Sequence, residues 1–145
     1  MKKGVDSKWW VSVIAAFIGL LDSIYLTWIK LANATASCSG IGDCESVNNS
    51  SYSEVAGIPV ALIGAGAYLV ILVLLLVEAR FPERSELVRY SVFGFSLIGT
   101  LYSAYLTYVE VAILNAICPF CVLSALLITF LFVVSVLRLR DMDLD

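Results

Sequence analysis

Residues 57–77 read GIPVALIGAGAYLVILVLLLV and contain no charged side chain. A helix needs about 20 mostly apolar residues to cross a bilayer, so this segment predicts a transmembrane span. Three further segments have the same character, at residues 9–31, 88–114 and 119–137. Together the four segments take up most of the 145 residues. We therefore predict an all-α integral membrane protein with a single domain, residues 1–145, folded as a four-transmembrane-helix bundle.

The basic residues indicate how this bundle is oriented. Of the nine Lys and Arg residues, eight fall on one side of the four predicted spans, and only Lys30 falls on the other. Loops with an excess of Lys and Arg stay in the cytoplasm, so we expect cytoplasmic N- and C-termini and an outward-facing loop at 32–56. The first span could instead be a cleaved signal peptide, but its apolar stretch exceeds the roughly 7–15 residues of a signal core. We therefore expect a multi-pass protein of the cell membrane.

The composition limits the available chemistry to thiols. The chain has four Cys and no His, and only 14% of its residues are charged. The lack of His excludes Ser-His-Asp triads, Cys-His nucleophiles and His-ligated zinc. The net charge of −3, without any long basic run, gives no reason to expect a nucleic-acid partner.

An internal repeat divides the chain into two helical hairpins. The twenty residues that begin at Gly19 and the twenty that begin at Gly99 are identical at nine positions. Both copies contain Ser-x-Tyr-Leu-Thr, and they end at Cys38 and Cys118. Because spans one and three run in the same direction, this is a parallel repeat. Such repeats commonly place the functional site at the interface between the halves.

All four Cys fall on the outward side of the predicted bundle. Cys38 and Cys44 lie in the outer loop, and Cys118 and Cys121 form Cys-Pro-Phe-Cys at the start of span four. Pro119 suits the first helical position because it lacks the N–H that would have no partner there. Cys118 would then be the N-cap, and two residues three apart share a helix face, so the sulfurs can bond. The free N–H groups and the positive helix end favour a thiolate here.

Three interpretations of these cysteines remain open. They could form structural disulfides that join the outer loops. They could bind zinc together, although the spacing Cys-x5-Cys departs from the usual pattern. The interpretation we favour is a redox relay from the loop pair to the Cys-x-x-Cys pair, because a Pro-containing pair at a helix start suits thiol exchange and the Gly- and Ser-rich loop suits a mobile segment.

These residues together resemble the vitamin K epoxide reductase family. The resemblance covers nearly the whole chain: Cys38 and Cys44, the segment CESVNNS at 44–50, Gly-Ile-Pro at 57–59, and Cys-Pro-Phe-Cys at 118–121. The last two motifs look closer to the bacterial and archaeal members than to the animal enzymes. The resemblance implies a four-helix bundle around a quinone, such as menaquinone or ubiquinone. It also implies a cap over the pocket, formed by a short extracytoplasmic helix or loop at residues 45–56.

The resemblance also implies a role for each site residue. Cys121 would donate electrons to the quinone, and Cys118 would be its disulfide partner. Cys44 would shuttle between Cys38 and Cys118, and Cys38 would exchange with an external thiol protein. Ser50 would hydrogen-bond a quinone oxygen, although its spacing fits a helix N-cap or turn residue equally well.

At two positions this chain differs from the vertebrate members of the family, and these differences limit which reaction we expect. Vertebrate members carry a Tyr four residues after the second Cys of the motif, where this chain has Ala125. They also carry a substrate-contacting Asn at the start of span two, where the region around Pro59 and Val60 offers no amide. We therefore expect quinone reduction coupled to disulfide formation in exported proteins, rather than epoxide reduction. Because these residues contain no thioredoxin-like domain, we expect a separate extracytoplasmic thioredoxin-like or disulfide-forming protein as the partner.

Two other functions compete with this one. The bacterial periplasmic quinone reductases that reoxidise disulfide-forming enzymes also have four spans and two Cys pairs. Their Cys-x-x-Cys lies in the first outer loop, however, whereas here it opens span four. The second competitor is a non-enzymatic membrane scaffold with structural disulfides.

Asp22 is the one charge near the middle of a predicted span that the family does not explain. A charge at that depth is costly to insert. The sequence favours a neutral carboxyl that is hydrogen-bonded within the bundle, with a proton donor for quinone reduction as the alternative.

Overall fold

The computed structural model describes residues 5–33, 46–47 and 49–144. Four helical segments in this part of the chain are long and apolar enough to cross a membrane. Large apolar side chains along them, such as Phe17, Leu69 and Phe130, are exposed, as they are in a helix that faces lipid. These findings confirm the predicted fold class. The helices are α1 (Ser7–Ala32), α2 (Val60–Arg80), α3 (Ser85–Tyr108) and α4 (Pro119–Leu144).

Helix α1 is delimited by polar residues at both ends. Asp6 is its N-cap, and the carboxylate accepts a hydrogen bond of 2.9 Å from the backbone N–H of Trp9. Asn33 ends the helix in the left-handed conformation, with φ 50°, and its N–H bonds back to the carbonyls of Ile29 and Lys30. Asn is one of the few residues that adopts this conformation readily. The helix is therefore slightly longer at each end than the predicted span 9–31.

A small hairpin precedes α2 and shifts its start. Strands β1 (Glu54–Val55) and β2 (Ile58–Pro59) pair antiparallel, with Val55 opposite Ile58. Ala56 and Gly57 connect them with φ values of 53° and 80°, as a two-residue type I′ turn requires. The predicted start of span two at Gly57 is therefore wrong, because Gly57 is used for the turn and α2 begins at Val60.

The hairpin belongs to a cap over one end of the bundle. We use "cap" for the described residues between α1 and α2, namely 46–47 and 49–59. Besides the hairpin, the cap contains a 3-10 helix at Ser51–Ser53. Lys30 connects the cap to α1, because its ammonium lies 2.5 Å from the hydroxyl of Ser53 and 3.2 Å from the carboxylate of Glu54. Residues 46 and 47 are helical as well, so the described cap consists of these helical residues, a 3-10 turn and a hairpin.

The four helices are arranged as a ring. Helix α1 packs against α2 and α4, and α3 packs against the same two neighbours. Lys8 at the start of α1 pairs with Asp141 near the end of α4, so both termini lie at one end of the bundle, opposite the cap. The larger buried cluster includes Trp9, Ile71 and Leu131 and extends into the terminal end. A smaller cluster packs Val47 of the cap against Leu26 and Cys118 beneath it.

The internal repeat is visible in how the two hairpins pack. A Cβ at Gly19 would overlap the ring of Tyr68 on α2, and a Cβ at Gly99 would lie 2.7 Å from Cγ1 of Ile128 on α4. The two Thr residues of the repeat, Thr27 and Thr107, each donate to the carbonyl four residues earlier. The corresponding glycines of α1 and α3 thus each allow the following helix to approach closely.

A buried ion cluster holds the terminal end together. Both carboxylate oxygens of Glu78, which is fully buried, accept hydrogen bonds of 2.7 and 2.8 Å from Arg138. Arg89 adds a bond of 2.9 Å from its Nε. The sequence predicted these arginines only as charges that flank the spans. The cluster joins α2, α3 and α4, and Glu78 compensates the buried charge of Arg138.

Candidate functional site

The Cys-Pro-Phe-Cys motif forms the first turn of α4. Pro119 is the first helical residue, and the carbonyl of Cys118 accepts a hydrogen bond of 3.0 Å from the N–H of Val122. Cys118 therefore occupies the N-cap position that the sequence predicted. Both Cys118 and Cys121 are free thiols in the structure.

The environments of the two thiols differ. Cys118 is fully buried, whereas Cys121 is only partly buried and lines a cavity. The hydrogen bond between their side chains lowers the pKa of the Cys118 thiol from its ordinary value. Of the two, Cys118 is thus the member of the pair whose thiolate is stabilised, while Cys121 lies beside the space where a ligand would bind.

A π-helical turn at Val109–Leu114 connects α3 to the motif. The turn ends at Asn115, which has φ 50°, and the N–H of Ala116 bonds at 3.1 Å to the carbonyl of Glu110. The chain then reverses, so that the N–H of Cys118 lies 3.2 Å from Oε2 of Glu110. Turns of this type occur mostly as single interruptions of α-helices and frequently at functional sites.

Glu110 is the site residue that the sequence analysis missed. It is buried, it lines the cavity, and its carboxyl lies within hydrogen-bonding range of the Cys121 thiol as well as of the Cys118 N–H. The only sequence signal was an acidic residue near the end of an apolar span, eight residues before Cys118. That spacing becomes a contact only because the π-helical turn reverses the chain.

The cavity lies under the cap and has a volume of about 700 Å³. This volume is within the roughly 300–1,000 Å³ of sites for small molecules and cofactors. Its wall on α2 includes Ala61, Gly64, Gly66 and Ala67, whose small side chains leave the space open. The remaining walls come from α1, α3, the π-helical turn, the start of α4 and the cap, and they include Ser23, Leu26, Val47, Ser50, Tyr52, Phe95, Ile98, Tyr102, Ser103, Glu110, Cys121, Ser124 and Ala125.

Ser50 lines the cavity. It is partly buried, and its hydroxyl donates a hydrogen bond of 2.8 Å to the carbonyl of Val47. Its own carbonyl accepts from the hydroxyl of Ser53 at 2.7 Å. The Ser50 hydroxyl therefore stabilises the turn of the cap, and its contact with a quinone stays a prediction. Cys38 and Cys44 lie outside the described residues.

Asp22 departs from the favoured prediction. It is buried, but neither carboxylate oxygen has a hydrogen-bond partner among the described residues. Across the helix interface, the Tyr68 hydroxyl donates to the carbonyl of Ser124 at 2.8 Å rather than to Asp22. The expected hydrogen bond within the bundle is therefore absent from the described part of the chain.

Comparison with known families places this geometry in context. The family model for vitamin K epoxide reductase matches residues 10–136, which include α2, α3, most of α1 and α4, and every candidate site residue. The chain belongs to the vitamin K epoxide reductase family. It is 36% identical over 124 residues to the thiol-disulfide oxidoreductase LTO1 of Arabidopsis thaliana, an alignment that covers 81% of this chain and 33% of that protein. The chain thus spans about a third of the length of this curated relative.

Membership of the vitamin K epoxide reductase family confirms the resemblance derived from the motifs. The match also includes Glu110 and the π-helical turn, neither of which contributed to that resemblance. Ala125, where vertebrate members of the family carry a Tyr, lies on the cavity wall. Its small side chain leaves space beside Cys121 that a larger residue would fill.

Proposed function

We propose that this protein is a membrane thiol oxidase that passes electrons from an extracytoplasmic thiol protein to a quinone and so forms disulfides in exported proteins. The observation that carries the proposal is the position of Cys121 in the wall of a mainly apolar cavity of about 700 Å³. Both the family and the name of the Arabidopsis relative support thiol-disulfide chemistry.

The residues of the cavity fit a quinone ring. Its walls are mostly apolar, and the polar side chains of Ser50, Tyr102, Ser124 and Glu110 offer hydrogen-bonding groups. A bound quinone supplies an acceptor for two electrons and two protons. We propose that Ser50 and Cys121 contact it, with the small residues of α2 making room for the ring.

Electrons reach this site through the second cysteine pair. We propose that a thioredoxin-like protein reduces Cys38–Cys44 and that Cys44 then exchanges with the Cys118–Cys121 disulfide. Attack of Cys44 on Cys118 releases Cys121, and Cys38 then attacks Cys44 and releases Cys118, whose stabilised thiolate makes it a good leaving group in this second exchange. The buried position of Cys118 beneath the cap requires the loop to approach from that end.

The orientation of the site belongs to the same proposal. The excess of basic residues favours cytoplasmic termini, and the cap with the thiol pair lies at the opposite end of the bundle. Disulfides persist outside the cytoplasm, so the extracytoplasmic side is the compartment where the proposed reaction has a use.

The proposal can be tested by following the reduction of added quinone through its absorbance. Purified protein in detergent is mixed with dithiothreitol as the thiol source and with ubiquinone or menaquinone analogues. We expect quinone reduction that is lost in Cys121→Ser and retained in Ser91→Ala, whose hydroxyl lies outside the cavity and bonds to the carbonyl of Leu87. If the protein reduces no quinone under any of these conditions, the oxidase proposal fails and the scaffold remains.

A further inference from the structure

Glu110 is a buried carboxyl among apolar helices. An ionisable group is costly to bury there, so it is retained only where it is paired with an opposite charge or has a function. It lies in a segment apolar enough to cross a membrane, and only 4% of its surface is exposed. Ionisable residues inside membranes are rare and usually mark proton or substrate pathways. A structural carboxyl of this kind is normally paired with a cation, as Glu78 is with Arg138.

Glu110 faces thiols and backbone instead. Its Oε2 accepts the N–H of Cys118 at 3.2 Å, its carboxyl lies in range of the Cys121 thiol, and it lines the cavity. One carboxyl thus contacts both residues of the redox pair and the space beside them.

We propose that Glu110 is a catalytic proton acceptor for the Cys121 thiol and passes that proton towards the cavity when the Cys118–Cys121 disulfide forms. This inference rests on the proposed function, because it assigns the proton pathway of the same reaction. A carboxyl on the cavity wall is suitably placed, since a general base must lie within hydrogen-bonding reach of the proton that it takes.

Before the disulfide forms, Cys118 is a thiolate that has released its proton to solvent, and Cys121 is a protonated thiol. The S–H bond of Cys121 breaks, its proton moves to the carboxylate of Glu110, and the S–S bond forms as the pair loses two electrons to the quinone. The proton on Glu110 and the proton released earlier by Cys118 are the two that quinol formation requires, and Glu110 returns to its carboxylate form.

A purely positioning role makes a different prediction. If Glu110 only held the N–H of Cys118, Glu110→Gln would retain function, because the amide oxygen accepts the same hydrogen bond. Glu110→Ala would lose it. If Glu110 instead accepts the proton, function must be lost in both variants, since neither Gln nor Ala takes up a proton. We expect both to slow quinone reduction about 100-fold or more.

Infrared difference spectroscopy provides a readout that does not depend on quinone. The reduced full-length protein is oxidised with diamide, a small thiol oxidant, and the carboxyl bands before and after oxidation are compared. We expect the carboxylate band of Glu110 to shift on oxidation in the unaltered protein, because disulfide formation removes the Cys121 S–H that Glu110 accepts, and we expect this band to be missing from Glu110→Gln. The same band should persist in Asp22→Asn, which removes a buried carboxyl that has no hydrogen-bond partner among the described residues. Circular dichroism establishes that each variant is folded.

The outcomes separate the inference from the proposed function. A band that is missing only from Glu110→Gln supports the inference even if no quinone is reduced, in which case the proposed function alone fails. Unaltered protein that shows no carboxyl change on oxidation overturns the inference, and so does a band that is lost in Asp22→Asn but kept in Glu110→Gln. Quinone turnover of Glu110→Gln at the unaltered rate also overturns it.

Discussion

Adding one methyl group at Gly19 should destabilise the bundle strongly. An Ala Cβ there would overlap the Tyr68 ring, which is 2% exposed. The ring cannot move aside at no cost, because its hydroxyl is held by the carbonyl of Ser124 at 2.8 Å. Overpacking costs about 1–3 kcal/mol and a lost hydrogen bond about 1 kcal/mol. We therefore expect Gly19→Ala to lower the free energy of unfolding by about 2–4 kcal/mol.

Two other glycines serve as graded comparisons. Gly99→Ala should cost about 1–2 kcal/mol, because its Cβ would meet the side chain of Ile128 at 2.7 Å and Ile128 has no polar anchor. Gly94→Ala should cost nothing, since nothing lies within 4 Å of its Cβ and Ala favours a helix. Titration with sodium dodecyl sulfate in mixed micelles, followed by circular dichroism, measures all three. Equal stability of the Gly19 and Gly94 variants would refute the close-approach reasoning.

Three further predictions concern the ion cluster, the thiol pair and the cap. Glu78→Ala leaves Arg138 buried without its carboxylate and should cost about 3–5 kcal/mol in the same titration. Cys121→Ala removes the hydrogen bond that lowers the pKa of Cys118, so the pH profile of Cys118 alkylation by N-ethylmaleimide should move to higher pH. Lys30→Met removes an ion pair worth about 0.5–1 kcal/mol. It should raise amide hydrogen exchange in the hairpin about two- to fivefold.

Each of these predictions has a matched control. Asp141→Asn breaks the more exposed ion pair with Lys8 and should lower the free energy of unfolding by no more than about 1 kcal/mol. If Glu78→Ala were as stable as Asp141→Asn, the buried ion cluster would not stabilise the bundle as proposed. Cys121→Ser keeps a hydroxyl donor and should shift the Cys118 profile less than Cys121→Ala does. Lys30→Arg keeps the positive charge. If amide hydrogen exchange in the hairpin were as fast in Lys30→Arg as in Lys30→Met, the ion pair would not be what stabilises the cap.

Hydropathy and local signals predicted most of the architecture. The four spans were recognisable because each is long, apolar and almost uncharged, and lipid imposes that composition directly. The start of α4 was predictable because Pro119 fits only the first helical turn. Gly19 and Gly99 are equivalent positions of the repeat, and in the structure each lies where the following helix approaches closely.

Features that depend on long-range contacts were not predictable in this way. Glu78 and Arg138 are 60 positions apart in the chain, so only packing shows that one neutralises the other. The hairpin turn uses Ala56 before Gly57, and Ala is an unusual residue with positive φ, so its sequence signal was weak. Glu110 became a site residue only through the reversal of the chain after the π-helical turn.

The π-helical turn also affects how related sequences should be compared. Each residue of an α-helix rotates the chain by about 100°, so removing one residue between Val109 and Leu114 would turn Glu110 and Cys118 away from each other even with both side chains retained. Such a change is a deletion, which a position-by-position comparison of residue identities does not register. The number of residues separating the acidic side chain from the first Cys is therefore as informative as the two residues themselves.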